Sequence, residues 1–266
     1  MFDTLKARNS PTAKCNAQIL RFERQEKNTV SDRYIMPGSP CSSCSARSKA
    51  ICAGLSDDEM DGFSRNIRTR LIKAGNSIYR EFEKANYFYT VVSGEIRLAN
   101  LLGDGRRQLT AFKSAGDLLG EHNGGIYQSD AEAVCDAVVC QIPIKILEKY
   151  TNEVPAMRVT LNTKMQNELC DLRHHAILLG RKTPIEKIAT FLTARSENCE
   201  WSDDDKAEVV LTMGRSDIAD FLGLTIETVS RTITKLKNMG LLLVPTSHSI
   251  VITDQACLKR LAENEQ

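Results

Sequence analysis

Three cysteines, Cys41, Cys44 and Cys52, fall within the twelve-residue stretch CSSCSARSKAIC. A Cys-x2-Cys pair lets two thiolates bind from one tight loop. The seven residues between Cys44 and Cys52 let the chain turn around whatever the pair holds. Three thiolates are one short of the all-cysteine set of a structural zinc site, and one short of the four that ligate an iron–sulfur cluster. Spacing alone leaves both chemistries open and leaves a fourth ligand to be found. The chain carries nine cysteines in 266 residues. An odd count, with three clustered and six scattered, fits metal or redox chemistry better than a disulfide framework.

A second chemistry-bearing stretch is RSDIADFLGLTIETVSRTITKLKNMGLL, residues 215–242. It reads as helices over 215–222 and 226–239, joined by Gly223-Leu224-Thr225. Gly223 suits the left-handed position after the first helix, and Thr225 suits the N-cap of the second. The following LLLVPTSHSIVIT makes two short strands around a turn, the wing of a winged helix-turn-helix. The second helix puts Val229, Ile233 and Leu236 on one face and Glu227, Ser230, Arg231, Thr234 and Asn238 on the other. Arginine pairs in a bidentate way with guanine, glutamate accepts from cytosine, and serine contacts either base. Lys235 and Lys237 flank this face and reach phosphates, and Thr225 and Thr228 complete the candidate DNA-binding set. Any surface helix has a polar face; the turn chemistry and the wing tip the reading towards DNA. The net charge of +1 gives no global attraction to nucleic acid, so the basic patch must be local.

Other elements must position these groups. Residues 1–40 are polar, with the breaker-rich MPGSP at 36–40. GLSDDEMDGFSRNI (54–67) reads as a short helix with Ser56 as its cap and Glu59 closing a capping box. From about 70 to 145, short β-rich runs (SIYREF, YFYTVVSGEIRLANLL, RRQLTAFKSAGDLLGE, AEAVCDAVVCQIPI) are punctuated by glycine. Gly103-Asp104-Gly105 forms a hairpin turn. Such a pattern predicts a small barrel or double-layered roll. A long helix then runs from about Pro155 to Gly180. Its apolar positions are Met157, Leu161, Met165, Leu169, Leu172, Ala176 and Leu179. The last five step by 4, 3, 4 and 3, the spacing of a coiled-coil seam, which favours a homodimer contact over an amphipathic helix packed on its own domain. GRKTP (180–184) opens a second unit with the helix IEKIATFLTARSE. The expected architecture is α+β, divided into an arm with the cysteine loop (1–54), a roll (55–150), a dimerisation helix (151–180) and a winged helix-turn-helix (181–266). The N-terminal stretch has no apolar core of signal-peptide length, and no run approaches the ~18 apolar residues of a membrane span, so a cytoplasmic protein without a membrane partner is expected. The sequence shows no pocket of paired acids, no nucleophile and no phosphate loop, so no enzyme is expected. It also lacks a radical-SAM CxxxCxxC, which leaves an iron–sulfur electron carrier as a weaker alternative.

Roll, long helix and winged helix-turn-helix together resemble the cyclic-AMP receptor protein / fumarate-nitrate reduction regulator (CRP/FNR) superfamily, over about residues 40–255. The most specific stretch is LTMGRSDIADFLGLTIETVSRTITKL. Its Glu227-x-x-Ser230-Arg231 core resembles the FNR branch, where the cyclic-AMP branch has glycine before the arginine; Ile226 stands where that branch has arginine. The resemblance implies a double-stranded β-helix (jelly-roll) sensor domain and a homodimer. It further implies that Glu227, Ser230 and Arg231 read the half-sites of a TTGAT-N4-ATCAA palindrome. FNR-type regulators bind a [4Fe–4S] cluster through three N-terminal cysteines and one from the roll just before an Ile-Pro dipeptide. VVCQIPIKIL resembles that position and makes Cys140 the implied fourth ligand, with the seven-residue spacing before Cys52 at the long end for the branch. Cys135, five residues before Cys140, is expected on the opposite face of the same strand. Cys15, on the arm, is a possible substitute ligand. Cyclic-nucleotide binders carry a phosphate-holding Arg-Ser after Gly-Glu. Here GDLLGEHNGGIYQSDAEAV keeps Gly120-Glu121 but has Ser129-Asp130 instead, so no cyclic nucleotide is expected. The implied function is an oxygen-responsive regulator that holds its cluster when oxygen is scarce. It would activate genes of anaerobic or microaerobic metabolism in contact with RNA polymerase. The alternative is a zinc-stabilised regulator without an oxygen response.

Overall fold

The computed structural model describes residues 41, 43–197, 199–202 and 206–263. MPGSP at 36–40 and Cys15 lie outside the described residues. The chain divides into two compact units. One runs through Asn100 and resumes at Ala111–Leu169; the other holds Leu101–Thr110 and Cys170 onward.

In the first unit, the cysteine loop makes short 3-10 turns at Arg47–Lys49 and Ile51–Gly54. Helix α1 (Asp57–Ser64) follows, with Ser56 and Glu59 forming the expected capping box. The Glu59 carboxylate accepts from the Ser56 amide at 2.8 Å, and Asp57, Asp58 and Glu59 place negative charge at the helix start, where the dipole favours it. Ten strands then build the roll: β1 (Arg68–Ile72), β2 (Ser77–Tyr79), β3 (Tyr87–Ser93), β4 (Ile96–Leu101), β5 (Arg107–Lys113), β6 (Leu118–Leu119), β7 (His122–Asn123), β8 (Ile126–Tyr127), β9 (Asp130–Ala133) and β10 (Ala137–Pro143). They form two four-stranded sheets, ordered β1-β10-β3-β6 and β2-β9-β4-β5, and the small β7-β8 pair. The Gly103-Asp104-Gly105 turn lies between β4 and β5 as expected, with the Leu102 amide bonded to the Arg106 carbonyl at 2.8 Å. Tyr79, Tyr89, Val91, Leu98, Leu119, Tyr127 and Val139 fill the roll; Tyr79 and Tyr127 stack at 4.0 Å.

The other face of the first sheet carries Phe88, Cys140 and Ile142. It packs against the cysteine loop, α1, α2 (Ile144–Glu153) and the start of the long helix α3 (Pro155–Arg181). One side of α3, stepping through Met157, Leu161, Lys164 and Glu168, is held by its own unit. Met157 is fully buried and Leu161 packs against the same cluster. The Lys164 ammonium donates to the Gly116 carbonyl at 2.8 Å, and Glu168 forms an ion pair with buried Lys113 of β5. The expected seven-residue seam therefore needs correction. Met157 and Leu161 are committed to the core of their own unit. In the second unit, Leu179 is half-buried, 3.1 Å from where a Cβ on Gly223 would lie. The exposed apolar residues of α3 beyond its first turn are Met165, Leu169, Leu172 and Ala176, together with Val159 and Ile177.

The second unit opens with α4 (Pro184–Ser196), where Pro184 stands in the first turn and the Glu186 carboxylate accepts from the Thr183 amide at 2.8 Å. It continues through β11 (Ala207–Val210), α5 (Arg215–Leu222), α6 (Ile226–Asn238), β12 (Leu242–Thr246), β13 (Ser249–Ile252) and α7 (Gln255–Glu263). The wing is a three-stranded sheet, β11-β13-β12; sequence reasoning missed β11. Among the described residues no helix is long and apolar enough to cross a membrane.

Removing one partner of a buried ion pair leaves a charge uncompensated. Glu168→Ala is expected to lower the unfolding free energy by about 1–3 kcal/mol in urea denaturation, towards the smaller value because Glu168 is partly exposed and the Glu121 carboxylate still acts on Lys113. Pairing it with Lys113→Met is expected to recover most of that loss.

Candidate functional site

The cysteine loop is anchored by its apolar residues. Ala46, Ala50, Ile51 and Leu55 are buried, and Ile51 shares a cluster with Phe63, Ile142 and Met157. This packing brings Cys41 and Cys52 to the face of β10 that carries Cys140. Burial pushes the Cys52 thiol up to about 11, with Cys44 and Cys41 adding to the rise. Cys140 is pushed well above the ordinary thiol range by burial first, then by Cys41, Cys52 and Cys44. Thiols that oppose one another's ionisation share one neighbourhood, so two segments almost ninety residues apart converge. Among the described residues, no three His, Cys, Asp or Glu side chains form a group that could hold a metal ion as placed. The four sulfurs are electrostatic neighbours rather than a closed tetrahedron.

Cations border this site. Arg47 pairs with Asp57 at 2.9 Å and also feels Cys52 and Cys41. Lys164, whose pKa is lowered chiefly by burial, feels Cys52 from α3. Two close approaches lock the loop in place. A Cβ on Gly54 would come within 2.9 Å of the Ala156 backbone in the first turn of α3, and one on Gly116 would meet the Lys49 Cβ at 2.5 Å. Sequence reasoning missed Lys164, Gly54 and Gly116. Cys135 needs correction: it lies in the bend before β10, not within the strand. Cys170 is exposed, and Cys199 and Cys257 are half-buried. His175 packs edge-on to Phe221 at 4.3 Å, and His122 lies against Phe88 at 5.5 Å; His174 is exposed.

Where a cyclic-nucleotide phosphate would call for a cation, Ser129-Asp130 stands. The Asp130 carboxylate accepts from the Glu81 amide at 2.7 Å, and Ser129 is buried. The nearby Glu121 carboxyl is raised in pKa, mainly by burial.

In the second unit, Gly223 closes α5 at φ 59°, ψ 45°, the left-handed conformation that glycine adopts without strain. The Thr225 side chain caps α6 by accepting from the Thr228 amide at 3.2 Å. Val229, Thr232, Ile233 and Leu236 are buried, while Glu227, Ser230, Arg231, Thr234, Lys235 and Asn238 are exposed. Thr225 is exposed and Thr228 half-buried. Hydrogen bonds at the helix start, from its own amide and from Thr225, hold the Glu227 carboxylate below its usual range, and Arg231 one turn on adds to this. The exposed face of α6 thus presents a carboxylate and a guanidinium side by side. Helix α5 is held in turn by Arg107, whose guanidinium donates to Asp217 at 2.7 Å and to Asp220 at 2.9 Å.

Comparison with known proteins agrees with this geometry. The family described as "Bacterial regulatory proteins, crp family" matches residues 211–242, and the "Cyclic nucleotide-binding domain" matches residues 69–153. The chain is 36% identical over 222 residues to the nitrogen fixation regulation protein FixK of Bradyrhizobium diazoefficiens, covering 84% of this chain and 93% of that one. It is 30% identical over 225 residues to the fumarate and nitrate reduction regulatory protein of Escherichia coli, covering 84% and 90%. The solved structure of FixK2 from Bradyrhizobium japonicum superposes with a TM-score of 0.68 at 35% identity, covering 73% of this chain and 96% of that one. Roll, long helix and capped recognition helix follow one another here as they do in these regulators, and the chain belongs to the CRP/FNR superfamily of DNA-binding transcriptional regulators.

Proposed function

We propose that this regulator senses oxygen through a [4Fe–4S] cluster held by Cys41, Cys44, Cys52 and Cys140. It then binds TTGAT-N4-ATCAA-type sites as a homodimer, in contact with RNA polymerase. The observation that carries this reading is the packing of Cys41 and Cys52 of the loop with Cys140 of β10 in one apolar cluster, with Cys44 close enough to act on Cys52 and Cys140. The donor set suits the group: four cysteines, with cations at Arg47 and Lys164 to offset thiolate charge. When bound, the cluster supplies an oxygen-labile cross-link between loop and roll.

The chain's own residues carry the consequence. The loop bears on the first turn of α3 through Gly54 and Ala156, so ordering the loop orders the base of that helix. Further along, α3 offers Met165, Leu169, Leu172 and Ala176 to a second copy. A dimer sets two copies of α6 about one turn of DNA apart, with Glu227, Ser230 and Arg231 at base edges and Lys235 at a phosphate. The roll itself binds no cyclic nucleotide in this reading. Tyrosines stack in its interior, and an aspartate stands where the phosphate needs a cation.

Three measurements test this. Purified without oxygen, the protein is expected to be brown, with a broad band in the visible blue; Cys140→Ala should lose that band and Cys135→Ala keep it. A colourless protein with stoichiometric zinc would falsify the cluster assignment. Arg231→Ala is expected to weaken binding to the palindrome roughly 10- to 100-fold in a gel shift and to relax base preference. Lys235→Ala should weaken all sequences alike and lower the salt slope by about one. Air exposure should abolish specific binding by the wild type. The apolar centre of the exposed stripe leads us to expect appreciable dimer even in protein stripped of its cluster; sedimentation showing monomer alone at micromolar concentration argues against that.

A further inference from the structure

Cys140 stands in a cross-strand row. In the ladder, Thr69 of β1 pairs with Cys140 of β10, Cys140 pairs with Thr90 of β3, and Thr90 pairs with Leu118 of β6. Residues directly opposite one another on antiparallel strands share a face, with Cβ atoms about 5 Å apart. The alternation along β3 agrees. Tyr89 and Val91 point into the roll core, while Phe88 lies on the side of Cys140, Ile142 and Leu118. Thr90 therefore sits beside Cys140, on the face that meets the cysteine loop.

Thr90 is 3% exposed, and its hydroxyl Oγ1 is buried with no hydrogen-bond partner. A buried hydroxyl without a partner costs stability, whereas valine fills nearly the same volume with no polar atom. Serine and threonine hydroxyls often bond back to their own backbone, but this one does not. Directly across the strand pair stands the Cys140 sulfur. A thiolate accepts O–H hydrogen bonds, and hydrogen bonds to the sulfurs are one of the means by which a protein tunes an iron–sulfur centre.

We propose that Thr90 is a positioning and tuning residue for the thiol site, donating its hydroxyl to the Cys140 thiolate when Cys140 ligates iron. The inference rests on the cluster reading above. A donor draws electron density from the sulfur and favours the electron-rich state, so it slows loss of electrons to oxygen. Thr69, on the other side of Cys140, is only half-buried and has access to water, so its hydroxyl carries less of this effect.

The test compares wild type, Thr90→Val and Thr90→Ser, each prepared without iron and then reconstituted anaerobically with iron and sulfide. Without iron, Thr90→Val is expected to melt about 2–4 °C higher than wild type, since it removes an unsatisfied hydroxyl at nearly constant shape. A lower melting temperature means the hydroxyl already has a partner and overturns the premise. With cluster bound at equal iron content, the visible band of Thr90→Val is expected to bleach in air roughly five times faster than wild type, and that of Thr90→Ser at close to the wild-type rate. The iron–thiolate stretches in resonance Raman should shift on H/D exchange in wild type and Thr90→Ser but less in Thr90→Val. Equal bleaching in wild type and Thr90→Val overturns the proposal. Failure of Thr90→Val alone to assemble a cluster supports the donor role, and failure of both variants assigns Thr90 to packing and overturns it. A wild type that takes up no iron defeats the cluster reading and this proposal together, and iron analysis separates that case from the others.

Discussion

The packing of Ile51, Phe63, Ile142 and Met157 into one dry core is the contact on which the first unit depends. Ile51 comes from the cysteine loop, Phe63 from α1, Ile142 from the strand that carries Cys140, and Met157 from the first turn of α3. All four are essentially fully buried. Burying one such side chain contributes about 1.5–3 kcal/mol, so the cluster offsets the entropy of ordering a loop that is otherwise polar. It also makes three distant pieces of chemistry neighbours: the loop thiols, the strand thiol and the base of the long helix. Ile51 holds Cys41, Cys44 and Cys52 against β10 alongside the other buried loop side chains, Ala46, Ala50 and Leu55.

Helix α3 departs from the usual arrangement of a surface helix, in which apolar residues face inward and charged residues outward. Over its middle turns the order is reversed. Lys164 and Glu168 face the roll and are bound there, to Gly116 and Lys113, while Met165, Leu169 and Leu172 face out. The buried ions are satisfied, so the inward face is stable, but it is specific: the charges fix the helix's register on the roll where an apolar stripe could slide. The outward stripe of large apolar side chains is what a monomer avoids and a dimer uses. One helix thus carries a polar, register-setting contact on one side and an associative surface on the other.

The winged helix-turn-helix was legible because its signals are local. Gly223 in the left-handed position, Thr225 as a cap and the 3.6-residue alternation of α6 each depend on a few neighbouring residues, and each appears as read. The capping box at Ser56 and the hairpin turn at 103–105 were legible for the same reason. What failed depended on long-range register. The apolar period of α3 runs unbroken from Met157 to Leu179, but the surface it meets changes along the way, and a period cannot say which partner it faces. Cys135 was assigned to a strand that starts two residues later. Strand β11 has only four residues and pairs with a strand some forty positions on, so no nearby turn announces it. Cys140 itself was reached by family resemblance, not by spacing. Thr90 and Lys164 gave no signal, because a threonine in a strand and a lysine in a helix are ordinary until the neighbours are known.

The same elements that position the thiols also decide whether they can ionise. Burial raises the pKa of the Cys52 and Cys140 thiols, and metal ligation requires them to give up their protons. Two cations counter the burial. Arg47 belongs to the loop and is tied to α1 through Asp57. Lys164 belongs to α3 and is tied to the turn before β6 through Gly116, and that turn packs on Lys49 of the loop. A cation on α3 that feels Cys52 gains from a thiolate there, and the thiolate gains equally from having α3 in place, since such coupling is reciprocal. Helix placement and thiol ionisation therefore support one another through charge, in addition to the steric contact at Gly54. No separate moving part is needed: whatever stabilises thiolates in this site also stabilises the seating of the helix that carries the exposed Met165, Leu169 and Leu172.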